Sequence, residues 1–590
     1  MLSGRNVRSS QDGLRELRAA LDSPMGRRLH GFRAALLGDG WGGAHMEPSA
    51  ASLSFQGASG YAFFYEEPRH YIEHNFTQPL DHFGSAADVT FPQRYFLATR
   101  WYEAGAAQRG CTRDGRAIVP VILYDGGETS INNRRQVLEH GIVKILAQAT
   151  GGIGIVLEHR YYGTSVPNRT ALGAGCDWGV DQLRWLNNRQ SLEDSARFVR
   201  RLHVPGIPRD AELRVIYYGG SYAGARAAFM RKEYPDLIHG AVCSSGVVAA
   251  TVEMPEYFYP IARGSDPACI QGIQRAVAAV DRVIAPDPPH GSHQTRVNAS
   301  AAAAVLRLFG AETLALDDFA NLLAFPLGTF QSRSWRDDGA ETAWGSFCDA
   351  ITNATLARAV VAANPHLAQS GVDLPREALS YSHYIRAHVV NACTEKNKTV
   401  GECFETNAAS FRSDGGMLTD GKAWQFQVCT EWGYLQTAPP PADVTAVPPR
   451  SAGPKLVSAR LDADSQAALC RTGFTPGTHF AMPPTPQVHK TNQYGALHLA
   501  VDRLAIIDGQ YDPWRPMTVH SEEYAYGGTR LDTLDRPFKL IPECWHHCDS
   551  DGYSDPDAEP PRIRDIHTEQ VAFVRHWLGQ ERGRGEGGGR

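Results

Sequence analysis

A serine, Ser221, follows two glycines in the stretch IYYGGSYAGARAAF, directly after an apolar run. A nucleophilic serine lies this way at a sharp turn between a strand and a helix, where small neighbours let the two elements close together. Gly219, Gly220 and Gly224 supply that room. The usual motif has glycine in place of Ala223, so a nucleophile here requires the alanine methyl to face a small neighbour.

Two later segments offer an acid and a base. LAIIDGQYDPW contains Asp508 and Asp512, and FKLIPECWHHCD contains His546 and His547. Their order along the chain, serine then acid then histidine, is that of α/β-hydrolases, which perform acyl transfer through an acyl-enzyme. D-G and D-P are also common turn dipeptides, and a histidine can be an ordinary core residue. The residue pattern by itself leaves both the acid and the base open.

An oxyanion hole needs two N–H donors aimed at the developing alkoxide. In this kind of fold one donor is the residue after the nucleophile, here Tyr222, and the other comes from a loop after an earlier strand. The run YDGGETS fits that loop, and it contains Gly126, Gly127 and Glu128. We predict Tyr222 and Gly127 as the donors.

The cluster CWHHC has a second interpretation as a zinc site, with Cys544, His546, His547 and Cys548 as ligands. Adjacent histidines rarely converge on one ion, and no second group of ligands accompanies them. We predict neither a metal nor a cofactor.

The elements around these residues alternate between strand and helix. AIVPVILYDGGE and GGIGIVLEHRYYGTS are buried strands that end in turns, and ELRVIYYGGS leads into the helix YAGARAAFMRKEYP. QSLEDSARFVRRLHV predicts a helix with Ser191 as its N-cap. Such alternation predicts a parallel sheet covered on both faces, the α/β class.

The alternation stops near residue 250 and resumes with LAIIDGQYDPW. We therefore predict an α/β-hydrolase fold with a largely helical cap insertion. The predicted domains are a weakly structured leader (1–69), the first part of the hydrolase domain (70–250), the insertion (251–494), the second part of the hydrolase domain (495–580) and a disordered tail (581–590).

Composition excludes several classes of protein. The 590 residues are 43% hydrophobic, and 58 Lys and Arg oppose 64 Asp and Glu without long blocks of one sign. A nucleic-acid partner is not expected, because it requires a clustered basic face. The sequence contains no run of about 18 apolar residues, so no membrane span is predicted.

Cysteines and sequons favour an oxidising, glycosylating compartment. Eleven cysteines are scattered singly, an odd count that leaves at least one thiol free or joined between chains. Five N-x-[ST] sequons predict glycosylation, at Asn75, Asn168, Asn298, Asn353 and Asn397. The Arg-rich start shows no apolar segment long enough for a signal peptide, so we expect the printed start to be truncated or wrongly assigned. A secreted protein or one of the lysosomal or vacuolar lumen is predicted.

With NFTQPLDHF, LEHRYYGTS, GGSYAG, DPW and HHCD in this order, the chain resembles a family of serine peptidases from about residue 70 to 580. That family includes lysosomal Pro-Xaa carboxypeptidase, a lysosomal dipeptidyl peptidase, thymus-specific serine protease and secreted fungal prolyl endopeptidases. The run GGSYAGA, with Ala225, is most similar to the fungal branch. The resemblance implies peptide substrates and cleavage mainly on the carboxyl side of proline.

Site residues implied by the resemblance fall on particular positions of this chain. The nucleophile is Ser221, the acid Asp512 of DPW, and the base His546, the first histidine of HH. Trp514 looks like part of the proline pocket, because an aromatic face suits a pyrrolidine ring. Glu128 looks like a group that holds a substrate's free amino terminus.

Several alternatives stay open. Exopeptidase, dipeptidyl peptidase and endopeptidase modes are not separated, and a homodimer is neither predicted nor excluded. An esterase or lipase of the same fold is a rival enzyme, and a catalytically inactive hydrolase-fold binding protein is a rival of another class.

Overall fold

The computed structural model describes residues 70–580, except 85–87, 105–113, 169–171, 173–177, 285–297, 337–341, 366, 368–369, 407–417, 442–451 and 525–529. The predicted leader, the predicted tail, Cys111 and Cys176 lie outside the described residues. The chain divides into two compact units. The sheet unit comprises the described residues of Phe63–Val252, Gly415–Tyr434 and Phe474–Arg590, and the helical unit those of Glu253–Asp414 and Leu435–Gly473.

An eight-stranded sheet with the order β1-β2-β4-β3-β5-β6-β9-β10 forms the sheet unit. β1 and β2 pair antiparallel, as do β2 and β4, whereas all the other pairs are parallel. The strands are β1 (Ile72–Pro79), β2 (Thr90–Ala98), β3 (Ile118–Asp125), β4 (Ile153–Leu157), β5 (Glu212–Gly220), β6 (Ile238–Ser244), β9 (Leu504–Gly509) and β10 (Phe538–Ile541). A separate two-stranded sheet pairs β7 (Thr251–Glu253) with β8 (Gly433–Leu435).

Three strands of the sheet are buried along their whole length. Every residue of β3, β4 and β9 is buried, which is why these strands read as continuous apolar runs rather than alternating ones. Parallel pairing brings their carboxyl ends to one edge of the sheet, which is where ligands bind in open α/β sheets.

Five longer helices belong to the sheet unit: α1 (Ile142–Thr150), α2 (Asn188–Arg201), α3 (Tyr222–Glu233), α4 (Asp420–Gln427) and α5 (Pro561–Leu578). Its shorter helical segments are Arg100–Ala104, Ile131–Arg134, Gln136–Glu139, Val180–Leu183, Val428–Trp432, His489–Asn492, Ala496–His498, Arg515–Met517 and Pro556–Ala558. Strand order, parallel pairing and the strand–turn–helix at β5 and α3 confirm the predicted α/β-hydrolase fold.

The start of α2 differs from the prediction. The helix begins at Asn188, and the side chain of Asn187 caps it by accepting a hydrogen bond from the amide of Gln190. Ser191 lies inside the helix, buried, with its hydroxyl bound to the carbonyl of Asn188 at 3.1 Å. An asparagine caps a helix as well as a serine does, so the prediction of Ser191 as the N-cap is wrong and the helix begins one turn earlier.

The helical unit contains α-helices and short turns of other helix types. They are Pro255–Tyr257, Phe258–Arg263, Pro267–Ile284, Ala299–Phe309, Leu316–Ala324, Phe325–Phe330, Ala343–Thr352, Ala354–Ala363, Arg376–Tyr384, Ile385–Val390, Asn391–Thr394, Val400–Phe404, Ala463–Gln466 and Ala468–Thr472. Disulfides join Cys269 to Cys348 and Cys393 to Cys403. The described residues 418–434 and 474–494, which were predicted to belong to the insertion, group with the sheet unit.

The predicted glycosylation sites differ in exposure. Asn75, Asn168, Asn298 and Asn397 are exposed, and Asn353 is half-buried. The threonine of the Asn168 sequon lies outside the described residues. Glycosylation at these positions stays a prediction.

Candidate active site

Ser221 lies at a strained turn between β5 and α3. Its backbone has φ 61° and ψ −127°, a conformation that is unfavourable for any residue with a Cβ. The neighbouring glycines allow the turn to close: a Cβ on Gly219 would lie 2.0 Å from the carbonyl oxygen of Ala223, and one on Gly224 would lie 2.7 Å from that of Ser244. Side chains at positions 219 and 224 would collide with the backbone, so glycine at both positions allows Ser221 to lie at the carboxyl edge of the sheet.

The methyl of Ala223 faces a glycine. A Cβ placed on Gly127 would lie 3.3 Å from the Ala223 Cβ, and Gly127 itself has φ +68°. The expectation that this methyl requires a small neighbour is thus confirmed, and the alanine closes the turn without displacing the loop that carries Gly127.

Ser221, His546 and Asp512 form one hydrogen-bonded chain. Nε2 of His546 lies 2.8 Å from Oγ of Ser221. Nδ1 of the same ring lies 3.0 and 2.9 Å from Oδ1 and Oδ2 of Asp512. These hydrogen bonds join residues that are 325 and 34 positions apart in sequence, so the folding of the sheet unit brings the three side chains together.

Asp512 lies in the loop that follows β9, and His546 lies in the loop that follows β10. Asp512 is completely buried, and the amide of Trp514 donates to its Oδ1 at 2.9 Å. His546 lies between Cys544 and Cys548, which form a disulfide. That disulfide removes the two thiolates on which the zinc interpretation depended.

The other aspartate and the other histidine have different partners. Asp508 lies 2.6 Å from Nδ1 of His520, and burial raises the pKa of Asp508. Nδ1 of His547 lies 3.2 Å from the hydroxyl of Ser550. Burial, and then the neighbouring charge of His546, hold the pKa of His547 well below its usual range. Within the described part of the chain, neither Asp508 nor His547 is hydrogen-bonded to Ser221.

The predicted oxyanion donors are in unequal positions. Tyr222 is the first residue of α3, where amide groups have no acceptor within the helix. The Gly127 amide, in contrast, donates to Oδ1 of Asp125 at 2.9 Å, and the Gly126 amide donates to the carbonyl of Leu157 at 2.8 Å. Gly127 as a donor stays a prediction, and it requires this amide to share its proton with the substrate or to leave Asp125.

One carboxylate oxygen of Glu128 is unsatisfied. The residue is 5% exposed, and its Oε2 is buried without a hydrogen-bond partner among the described residues. Burial raises the pKa of this carboxyl, while the charge of Arg134 opposes that effect. An uncompensated acceptor of this kind is suited to a ligand that brings its own donor.

A line of aromatic rings extends from the candidate base. The ring of Trp514 lies 6.4 Å from that of His546 and 5.3 Å from that of Tyr434. Trp432 contacts both Tyr434, at 5.9 Å, and Tyr222, at 5.1 Å. These rings offer an apolar wall beside the candidate nucleophile.

Sequence reasoning missed the contribution of residues 420–434, because the helical spacing there resembled the insertion. The run DGKAWQFQVCTEWGY is dense in aromatic and amide side chains, and that density was the available signal. Periodicity could not connect it to Ser221, because the contact depends on the tertiary fold.

The described part of the chain contains no helix with the length and hydropathy of a membrane span. Nor do its described His, Cys, Asp and Glu side chains form a cluster of three or more suited to a metal ion.

Comparison with known proteins places the chain in a family. Residues 78–526 match the family model Serine carboxypeptidase S28. The chain belongs to this family. It is therefore a serine-type peptidase, and the resemblance drawn from its motifs is confirmed.

Relatives of the chain include serine carboxypeptidases and a serine protease. The chain is 31% identical over 528 residues to the "Probable extracellular serine carboxypeptidase" of Arthroderma benhamiae, which covers 86% of this chain and 68% of the relative. It is 26% identical over 498 residues to the "Thymus-specific serine protease" of Mus musculus, covering 80% of each. To the "Lysosomal Pro-X carboxypeptidase" of Bos taurus it is 32% identical over 216 residues, 35% of this chain and 39% of the relative.

Proposed function

We propose that this peptidase cleaves on the carboxyl side of proline, with Ser221 as nucleophile, His546 as base and Asp512 as the acid that orients the base. The observation that carries the proposal is the hydrogen-bonded chain from the Ser221 hydroxyl through both nitrogens of His546 to the buried Asp512 carboxylate. Serine peptidases on unrelated folds share this arrangement.

The reaction follows from that geometry. Asp512 accepts a hydrogen bond from Nδ1–H of His546, which leaves Nε2 free to take the hydroxyl proton as Ser221 attacks the scissile carbonyl. The Tyr222 amide and the 126–128 loop stabilise the negative oxygen of the tetrahedral intermediate. His546 then protonates the leaving amine, and water hydrolyses the acyl-enzyme by the same steps.

Selection of proline is supported by the aromatic wall. The backbone amide of Trp514 donates a hydrogen bond to the Asp512 carboxylate, which fixes the backbone of Trp514 next to the triad, and its ring face suits a substrate pyrrolidine. The relative named for Pro-X cleavage supports the same preference. Glu128, with its unsatisfied oxygen, is suited to a substrate's terminal ammonium group, which would give an exopeptidase.

A secreted or lysosomal setting fits the same molecule. Eight described cysteines are disulfide-bonded, which is typical of proteins in oxidising compartments. Named relatives are extracellular and lysosomal.

The test combines a variant with product analysis. Ser221→Ala should abolish cleavage of a proline-rich peptide, leaving at most roughly 10³ to 10⁴ over the uncatalysed rate. A fluorophosphonate should label Ser221 in the parent protein, as shown by mass spectrometry of the labelled peptide. Retention of activity in Ser221→Ala would overturn the assignment.

Mass spectrometry of the digested peptide separates the remaining alternatives. Dipeptide ladders, single C-terminal losses and internal cuts identify the three modes of cleavage. Hydrolysis of short acyl esters without any peptide cleavage would favour the esterase alternative, and an unlabelled, inactive protein would favour the binding protein.

A further inference from the structure

One face of the helix α4 carries three side chains that reach the surroundings of Ser221. Asp420, Trp424 and Gln427 are four and then three residues apart, so they lie in one line along the helix. Trp424 packs its ring 5.4 Å from that of Tyr222. The two polar side chains at the ends of the line contact the two segments that carry the oxyanion donors.

Gln427 holds the side chain of Tyr222 in a hydrogen-bond network, to which Ser191 also contributes a side-chain hydrogen bond at Tyr222. Nδ1 of His159 lies 2.7 Å from the carbonyl of Arg160, so Nδ1 carries the ring proton. Nε2 of His159 must then accept from the Tyr222 hydroxyl at 2.9 Å. The Tyr222 oxygen in turn accepts from Nε2 of Gln427 at 2.8 Å, and Oε1 of Gln427 accepts from the Tyr162 hydroxyl at 2.5 Å.

This network is buried. Tyr222 and Gln427 are each 1% exposed, and His159 is 2% exposed. Burial lowers the pKa of His159 to about 3 and raises that of Tyr222 to about 12, so both side chains stay neutral over the range in which a lumenal peptidase works. The bonds therefore persist, and breaking one would leave a buried polar group unsatisfied.

Asp420 holds the second segment. Its Oδ2 accepts from the Thr129 hydroxyl and from the Ser130 amide, each at 3.0 Å, and its Oδ1 accepts from the Gly163 amide at 3.5 Å. Thr129 and Ser130 directly follow the 126–128 loop. The carboxylate therefore fixes the end of that loop.

We propose that Asp420 and Gln427 are positioning residues of the oxyanion hole, with one helix face holding both the Tyr222 amide and the 126–128 loop at the distance the transition state requires. The inference rests on the proposed function, because it presumes that Tyr222 and this loop bind the oxyanion. Neither Asp420 nor Gln427 needs to touch the substrate.

The expected effect lies in the chemical step. Removing one oxyanion donor lowers kcat about 10²- to 10³-fold, so loosening a donor that remains present should lower kcat by roughly tenfold to a hundredfold. Binding of the ground-state substrate does not use the oxyanion, so KM should change less than about threefold.

The test compares Gln427→Met with Gln425→Met. Gln425 is in the same helix, is also 1% exposed and donates to Sγ of Cys429 at 3.3 Å, so it controls for the loss of a buried amide from α4. Both variants would be assayed for kcat and KM on a proline-containing peptide that the parent cleaves, and for inhibition by a peptide boronate. The tetrahedral boronate adduct presents an oxygen to the oxyanion hole.

Gln427→Met should lower kcat and weaken the boronate by similar factors, whereas Gln425→Met should do neither. Equal effects of the two substitutions would overturn the positioning role while leaving the triad assignment intact. Activity in Ser221→Ala would instead overturn the proposed function itself, so the two failures are distinguishable.

Three further variants keep the inference testable if Gln427→Met does not fold. Tyr222→Phe removes only the hydroxyl through which Gln427 acts, and unchanged kcat and boronate affinity in that variant would overturn the proposal. At the other end, Asp420→Asn keeps one acceptor oxygen for Thr129 and Ser130, so it should retain more activity than Asp420→Ala. Equal loss in both would contradict the role of Asp420.

Discussion

Replacing Asp512 by asparagine removes the negative charge while keeping the shape of the side chain. Asp512 is completely buried, and its two oxygens lie 2.9 and 3.0 Å from Nδ1 of His546. An asparagine can instead donate its amide proton to Nδ1, which places the ring proton on Nε2, the nitrogen that must accept from Ser221. In a serine-protease triad this change lowers kcat about 10⁴-fold, which corresponds to about 5.5 kcal/mol of transition-state stabilisation.

Asp508→Asn is the matched control. Asp508 is also buried, lies four residues earlier and pairs with another histidine, His520, at 2.6 Å. Because burial already raises the pKa of Asp508, a neutral side chain should alter the free energy of unfolding by only about 1–2 kcal/mol. Its kcat should stay close to that of the parent.

The assay is steady-state cleavage of a proline-containing peptide, with circular dichroism and urea unfolding to show that both variants fold. A decrease of less than about tenfold in Asp512→Asn would show that this carboxylate does not set the tautomer of His546. Loss of activity confined to Asp508→Asn would move the acid to Asp508 and refute the reasoning from hydrogen-bond geometry.

Three other predictions concern His159, Trp514 and Gly219. Because burial and the charge of Arg226 lower the pKa of His159 to about 3, its contribution to stability is complete above pH ~6.5 and declines as pH falls. Urea unfolding at pH 7 and 5 should show that the parent loses about 2 kcal/mol more than His159→Gln; equal losses would contradict this. Trp514→Ala should reduce the preference for proline over alanine by about tenfold or more in kcat/KM, and an unchanged ratio would remove Trp514 from the pocket. Gly219→Ala should lower the free energy of unfolding by about 3 kcal/mol or more, because an added Cβ would lie 2.0 Å from its nearest atom. Gly220→Ala should lower it by less, because there the nearest atom is 3.2 Å away. A larger loss in Gly220→Ala than in Gly219→Ala would contradict the close contact at Gly219.

The order of elements was accessible from the sequence because it depends on local patterns. Buried parallel strands need continuous apolar runs, and the turn at Ser221 needs glycines, so both leave a visible signature. The start of α2 was less accessible, because Asn187 and Ser191 both satisfy the chemistry of an N-cap and only the packed helix selects one. The role of residues 420–434 was hidden for a different reason, since the helical spacing of Asp420 and Gln427 says nothing about what the helix packs against.

By itself the sequence determined the fold class, the nucleophile candidate at a glycine-flanked turn, and the presence of two aspartates and two histidines at later strand ends. The resemblance of its motifs to a peptidase family then singled out Asp512 and His546. Only the tertiary structure decided which side chains meet: Asp512 with His546, Asp508 with His520, and the Gly127 amide with Asp125. The physical reason is one of precision. The sequence locates the end of a strand only to within a few residues, whereas a hydrogen bond requires two atoms within about 3 Å of each other. That precision comes from the packing of segments that are distant in sequence.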